Sequence, residues 1–220
     1  MPKKLLLHSC CAPCLTSVYE KLSPLYDITV FWYNPNIWPQ TEHDKRLKTL
    51  RDYCKKIGAN LLIGEYDYYS EHKYWLNSIK GFENEPEKGK RCEICFRLRL
   101  EATAHTALAL SKRHDNPVKI EYFATELSVS PHKNAKLLNQ IGKSIEQEMS
   151  GYSDYDLIRA EQSLTASNFD NDSTHLNNHP NPKYLSSDFK KDNGFKRSVE
   201  ICREHNIYRQ NYCGCEFSLY

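Results

Sequence analysis

Cys10, Cys11 and Cys14 form a C-C-x-x-C run, Cys92 and Cys95 a C-x-x-C, and Cys213 and Cys215 a C-G-C, so seven of the nine cysteines in this 220-residue chain sit at ligand spacing. Thiols grouped this way hold a metal as thiolates, or exchange electrons as dithiol and disulfide. Adjacent Cys10 and Cys11 would face opposite ways on a strand, so they can converge only on a loop. A helix beginning behind them favours thiolate charge. The C-x-x-C lets two sulfurs reach one metal from a single turn, and the same spacing serves thioredoxin-type dithiols. Zinc is the competing occupant. Structural zinc sites pair neighbouring knuckles, whereas these groups lie about eighty residues apart and a third pair is left over. That favours a redox centre of iron–sulfur type. The glycine between Cys213 and Cys215 permits a tight, strained and therefore exchangeable disulfide, with two more metal ligands as the alternative.

The two remaining cysteines read differently. Cys54 shares a helical stripe with Leu47, Leu50 and Ile57, and Cys202 follows Phe195 and Val199 at helical intervals. Both are expected in the core as small hydrophobes. His8 reads as a hydrogen-bonded core histidine that could instead face the cysteines. Thr125 to Asn134 is polar and follows an apolar run, so it should line the same sheet edge as Cys10 and Cys11, with Ser130 capping a helix before Pro131. Lys190 and Lys191, with Arg197, Arg203 and Arg209, offer charge suited to phosphates, or simply a solvated face.

The elements that must position these residues follow from periodicity. Lys3 to His8 reads as a short buried strand running into the first cysteine loop, and Leu15, Val18, Tyr19 and Leu22 then have helical spacing. Further strands are expected at Ile28–Tyr33, Leu61–Ile63 and Ile120–Ala124. Helices are expected over about 41–57 (ended by Gly58), 71–79, 93–112, the stretch holding Leu138 to Met149, and 194–205. Strands alternating with amphipathic helices predict an α/β fold, a mostly parallel sheet with flanking helices in a Rossmann-like three-layer arrangement, plus a helical, cysteine-bearing C-terminal part. Residues 152–187 are rich in Asn, Asp, Ser and His and lack apolar periodicity. They are expected to form a polar, mobile insertion with a short helix at Asp156–Leu164, within one domain spanning 1–220.

A net charge of +2 excludes no partner class. Neither a leader nor a run near the roughly 18 apolar residues of a membrane span is evident, so a soluble, cytoplasmic protein is expected, with no membrane partner. Nine cysteines then point to reduced thiols rather than a disulfide framework.

His8 to Cys14, Arg91 to Leu100, Ser128 to Asn134, Asp188 to Lys191 and Tyr208 to Cys215 together resemble the cobalamin-independent epoxyqueuosine reductases, the QueH type. The five motifs stand in the family's order and cover nearly the whole chain, and the stretch from about 152 to 184 is longer and more polar than the family's. The resemblance implies the last step of queuosine synthesis, reductive removal of the epoxide oxygen from epoxyqueuosine in a tRNA anticodon. It implies a 4Fe–4S cluster on Cys10, Cys11, Cys92 and Cys95, a redox-active disulfide between Cys213 and Cys215, and a second, mononuclear iron for which Cys14 is the candidate ligand. tRNA carrying epoxyqueuosine is the implied partner, with an unidentified electron donor. His8, His132 and Tyr208 are candidate proton donors. Two other classes fit the residues alone: a metal-free thiol-disulfide oxidoreductase, and a zinc-stabilised RNA-binding module.

Overall fold

The structure is a computed structural model and describes residues 2–64, 67–112, 118–151 and 179–219. Its frame is a five-stranded, all-parallel sheet in the order β3-β2-β1-β4-β5, formed by Lys3–His8 (β1), Tyr26–Trp32 (β2), Asn60–Ile63 (β3), Tyr122–Thr125 (β4) and Lys183–Tyr184 (β5). Helices Ala12–Leu22 (α1), Gln40–Ile57 (α2), Tyr68–Ser78 (α3), Lys90–Lys112 (α4), Ala135–Met149 (α5) and Gly194–Glu204 (α6) surround it. The α/β architecture is therefore the expected one.

Central strands of such a sheet are covered on both faces, which is why Leu5, Leu6 and Leu7 of β1 can be consecutive apolar residues, all fully buried. Alternation divides them. Leu6, Phe31 and Phe123 pack under Leu100, Ala104 and Leu108 of α4 and Leu138, Ile141 and Ile145 of α5. Leu5, Leu7, Val30, Trp32 and Ala124 face Leu15 and Val18 of α1 and Leu50 and Cys54 of α2. α6 packs against α1 and buries Cys202. Cys54 and Cys202 are thus core residues, as expected.

Helix ends follow the local chemistry. α2 stops at Gly58, whose left-handed φ of 67° suits a residue without a Cβ and whose N–H returns to Cys54 and Lys55 carbonyls. The cap of α5 corrects an expectation: Asn134, not Ser130, accepts from the Leu137 N–H, and Ser130 and Pro131 lie in a turn before it. Part of the polar stretch belongs to the sheet. Lys183 and Tyr184 pair with Tyr122 and Phe123, and the Tyr184 ring lies 5.3 Å from that of Phe123. The strand is two residues long, too short for any periodicity to announce it. Residues 152–178, and with them the helix expected at 156–164, lie outside the described residues. Among the described residues no helix is long and apolar enough to cross a membrane.

Strand order fixes where a site can form. β1 is followed by α1 and β2 on one side, while its other neighbour, β4, arrives from the far half of the chain. The loops after β1 and β4 therefore diverge at their carboxyl ends and leave a crevice.

Candidate functional site

That crevice is where the first cysteines stand. The Ser9 N–H donates to the Phe31 carbonyl (2.9 Å), extending β1 by one residue, and Cys11 then occupies the cap position of α1 with a proline in its first turn. The bend is gripped from β4. Glu126 begins the short 3-10 turn Glu126–Val129, and its Oε1 accepts from the backbone N–H groups of Cys10 (2.8 Å) and Cys11 (3.2 Å). Glu126 is fully buried, and its Oε2 makes no hydrogen bond. The sulfurs of Cys10 and Cys11 are 3.7 Å apart, and one ligand atom each from Cys10, Cys11, Cys14 and Glu126 lie within 4.8 Å of one another. Three thiols so close cannot all ionise. S–H donation to Cys11 raises Cys10 to about 12, and shared hydrogen bonds raise Cys14. Burial opposes charge on Cys11, but donation from its two neighbours outweighs it, so Cys11 ionises first. Burial, with the neighbouring Cys10 adding to it, drives Glu126 well above the usual carboxylate range.

Cys92 and Cys95 come from the first turn of α4, where the Lys88 N–H points at the Cys92 sulfur (3.2 Å). Burial raises Cys95. One turn on, Arg99 is 3 % exposed and its Nε donates to the Cys95 carbonyl (3.1 Å). Burial works against its charge, yet Cys95, Cys10 and Cys213 outweigh it and raise Arg99. Lys133, from the loop before α5, behaves alike: burial lowers it, while Cys213 carries it the other way and wins. The thiols thus face a buried arginine and a half-buried lysine that also pairs with Glu87 (3.3 Å).

Cys213 and Cys215 lie on a segment without strand or helix before the turn Glu216–Ser218. The Cys213 sulfur lies 2.9 Å from the Ser218 hydroxyl and accepts from the Cys215 N–H (3.4 Å). Hydrogen bonding from Cys215 lowers Cys213 to about 5 against its burial, with Lys133 helping, and pushes Cys215 up. A cleft of about 400 Å³ unites the three groups: Cys10, Cys14, Cys92, Cys95, Cys213 and Cys215 all line it, and Cys11 sits just behind. Three stretches of sequence thus converge on one site. Sequence reasoning placed Glu126 and Lys133 only among the polar residues at the sheet edge, and gave no role to Arg99, whose burial no local pattern shows.

Other expectations change in this setting. His8 is fully buried, its Nδ1 meets the Thr125 hydroxyl (2.9 Å) and its Nε2 the Tyr33 carbonyl (3.2 Å). Burial, with Arg99 nearby, lowers it to about 3. It is a core histidine, away from the cleft lining. The Tyr208 hydroxyl is committed to the Glu42 carboxylate, whereas His132 does line the cleft. The Lys190 ammonium is also not a free phosphate-binding charge: it turns inward to the carbonyls of Ser128 and Lys133 (both 3.1 Å), two acceptors on the loop after β4, and lies 3.2 Å from Asp188. Arg197 is taken up by Glu20, Glu200 and Glu204. Arg209 remains at the cleft, its guanidinium 5.7 Å from the Phe195 ring.

The family pattern described as epoxyqueuosine reductase QueH matches residues 5–171 and 162–220. The chain belongs to the QueH family. Relatives named epoxyqueuosine reductase QueH include those of Staphylococcus epidermidis (37 % identical, covering 98 % of this chain and 76 % of that protein) and Streptococcus pyogenes serotype M1 (35 %, 97 % and 69 %). The Thermotoga maritima relative is 31 % identical over 97 % of this chain and 89 % of its own length. QueH membership makes the chain one of an oxidoreductase family.

Proposed function

We propose that the chain reduces epoxyqueuosine to queuosine in the anticodon of tRNA, the last step of queuosine biosynthesis, with a 4Fe–4S cluster on Cys10, Cys11, Cys92 and Cys95. The observation that carries this reading is the convergence of the C-C-x-x-C and the C-x-x-C on one cleft beside the buried Arg99 and the half-buried Lys133. The donor set fits the group: thiolates bind soft iron well, and Arg99 and Lys133 offset the negative charge that a thiolate-bound cluster brings into a buried site. Cys14 and the unpartnered Glu126 Oε2 suit a second, harder cation beside it, which supports reading them as ligands of the mononuclear iron. Bound there, the cluster would supply single electrons and the second iron a Lewis acid.

Removing the epoxide oxygen as water takes two electrons and two protons. Lys133 and His132 line the cleft and are its candidate proton donors to the leaving oxygen, whereas the His8 ring and the Tyr208 hydroxyl are engaged elsewhere. The Cys213–Cys215 pair matches the electron count: dithiol to disulfide yields two electrons and two protons, and an external reductant restores it. Arg209 and Phe195 at the cleft wall offer charge and a ring face to an RNA nucleotide.

The test is the visible spectrum of anaerobically purified protein with its iron and acid-labile sulfide content. Iron and sulfide together with epoxide-reducing activity are expected. Zinc without sulfide would replace this reading with a zinc-stabilised RNA-binding module, and a colourless active protein with a metal-free thiol-disulfide oxidoreductase.

A further inference from the structure

We propose that Arg46 is a positioning residue for the Cys213–Cys215 pair, a role that rests on reading that pair as redox-active. Arg46 lies on the second turn of α2, far in sequence from all three cysteine groups of the cleft, and its side chain is 1 % exposed. Its Nε donates to Glu42 (2.6 Å), its Nη1 to the Cys213 carbonyl (3.2 Å) and its Nη2 to the Tyr212 carbonyl (3.3 Å). The guanidinium also covers the Tyr212 ring, 4.9 Å from its centroid. A planar fork with fixed donors holds two successive carbonyls in one orientation, which a lysine cannot do.

The backbone it holds has been shaped to meet it. Gly214 has φ 107°, in the left-handed region, and a Cβ there would stand 2.9 Å from Arg46 Nη1 and 3.0 Å from Ile37 Cγ1. The same turn is tied by the Trp38 N–H donating to the Gly214 carbonyl (2.8 Å) and by the Tyr212 hydroxyl donating to the Trp38 carbonyl. Glu42 receives the Tyr208 hydroxyl as well, so one carboxylate on α2 anchors both Arg46 and the start of the segment. A buried guanidinium is expensive to desolvate, and one ion pair with Glu42 would suffice for α2 alone. The two carbonyl contacts explain why it points at the C-G-C.

Closing a disulfide over a single intervening residue requires both sulfurs to be presented together. In the forward half-reaction Cys213 and Cys215 lose two electrons and two protons and form the S–S bond. A dithiol reductant then breaks that bond and is itself oxidised. Fixing the carbonyls of Tyr212 and Cys213 removes backbone freedom before the ring closes, so the pair yields its electrons more readily.

The experiment titrates the iron-loaded enzyme anaerobically in a dithiothreitol redox buffer, reading the Cys213–Cys215 bond by alkylation and mass spectrometry. In Arg46→Met, the equilibrium constant for forming that bond should fall at least about tenfold, and Arg46→Lys should recover only part of it. Turnover with the dithiol as reductant should fall in parallel, while turnover driven by dithionite should stay within about twofold, since a merely structural lesion would lower both. Gly214→Ala, which leaves α2 intact, should reproduce the shift if Arg46→Met proves insoluble. An unchanged equilibrium in both variants, or equal losses with both reductants, overturns the role of Arg46 and leaves the pair as a relay. Failure of the parental enzyme to form the bond at all overturns the relay and the Arg46 role with it.

Discussion

Cys10 and Cys11 stand on a bend between a strand buried over its last four residues and a helix, whereas Cys213 and Cys215 stand on a segment that has neither. The first pair is fixed where strand meets helix: β1 delivers it, Cys11 caps α1, and the Glu126 carboxylate takes both N–H groups. The second is fixed by side chains reaching in from α2, with a left-handed glycine between the sulfurs. Ligands of a cluster must keep their geometry through every oxidation state, and a sheet edge gives that. A pair that makes and breaks a bond must change its own torsions, and a segment held only at its carbonyls leaves the sulfurs that freedom.

The largest effect should come from the first region. Replacing Cys10, Cys11, Cys92 or Cys95 by Ala should strip most iron and sulfide and abolish turnover, measured by metal analysis and tRNA nucleoside analysis; full cluster occupancy in all four variants contradicts the ligand set. In the second region, Cys213→Ser and Cys215→Ser should keep the cluster spectrum and block repeated turnover with a dithiol reductant. A changed iron content there would erase the contrast and make them ligands. Cys14→Ala or Glu126→Gln should lower iron without lowering sulfide and reduce activity roughly 10–100-fold, as loss of a supporting group at a metal usually does. Retention of all iron would remove the second metal. Outside both regions, Cys54→Ala and Cys202→Ala should keep full iron and lose about 1 kcal/mol in urea unfolding, the loss of one small buried group. Loss of colour in either would show a core thiol acting as a ligand.

The contrast also marks what the sequence could show. β1, its loop and α1 were legible because apolar runs, adjacent cysteines and helical spacing are all local signals. The three cysteine groups were legible as types and spacings. Arg46 and Arg99 were not, since an arginine on an amphipathic helix looks solvated until a distant segment closes over it. Lys190 misled for the same reason in reverse: its charge suggested phosphate, but carbonyls of its neighbours claim it. β5 escaped because two residues carry no period.

One contact outside the cleft bears on the family's history. The Asn181 amide donates to the carbonyl of Met149 at the end of α5 (2.9 Å), and Lys112 holds the carbonyl of His179 (2.7 Å). The chain thus departs from and returns to nearly the same point before Lys183 enters the sheet. An excursion stapled at its base is a place where length can drift: doubling it adds only about 0.6 kcal/mol of closure entropy, and no cysteine moves. Homologues can therefore gain or shed residues there as neutral variation, and the long polar stretch of this chain requires no change in the chemistry on the other edge of β4.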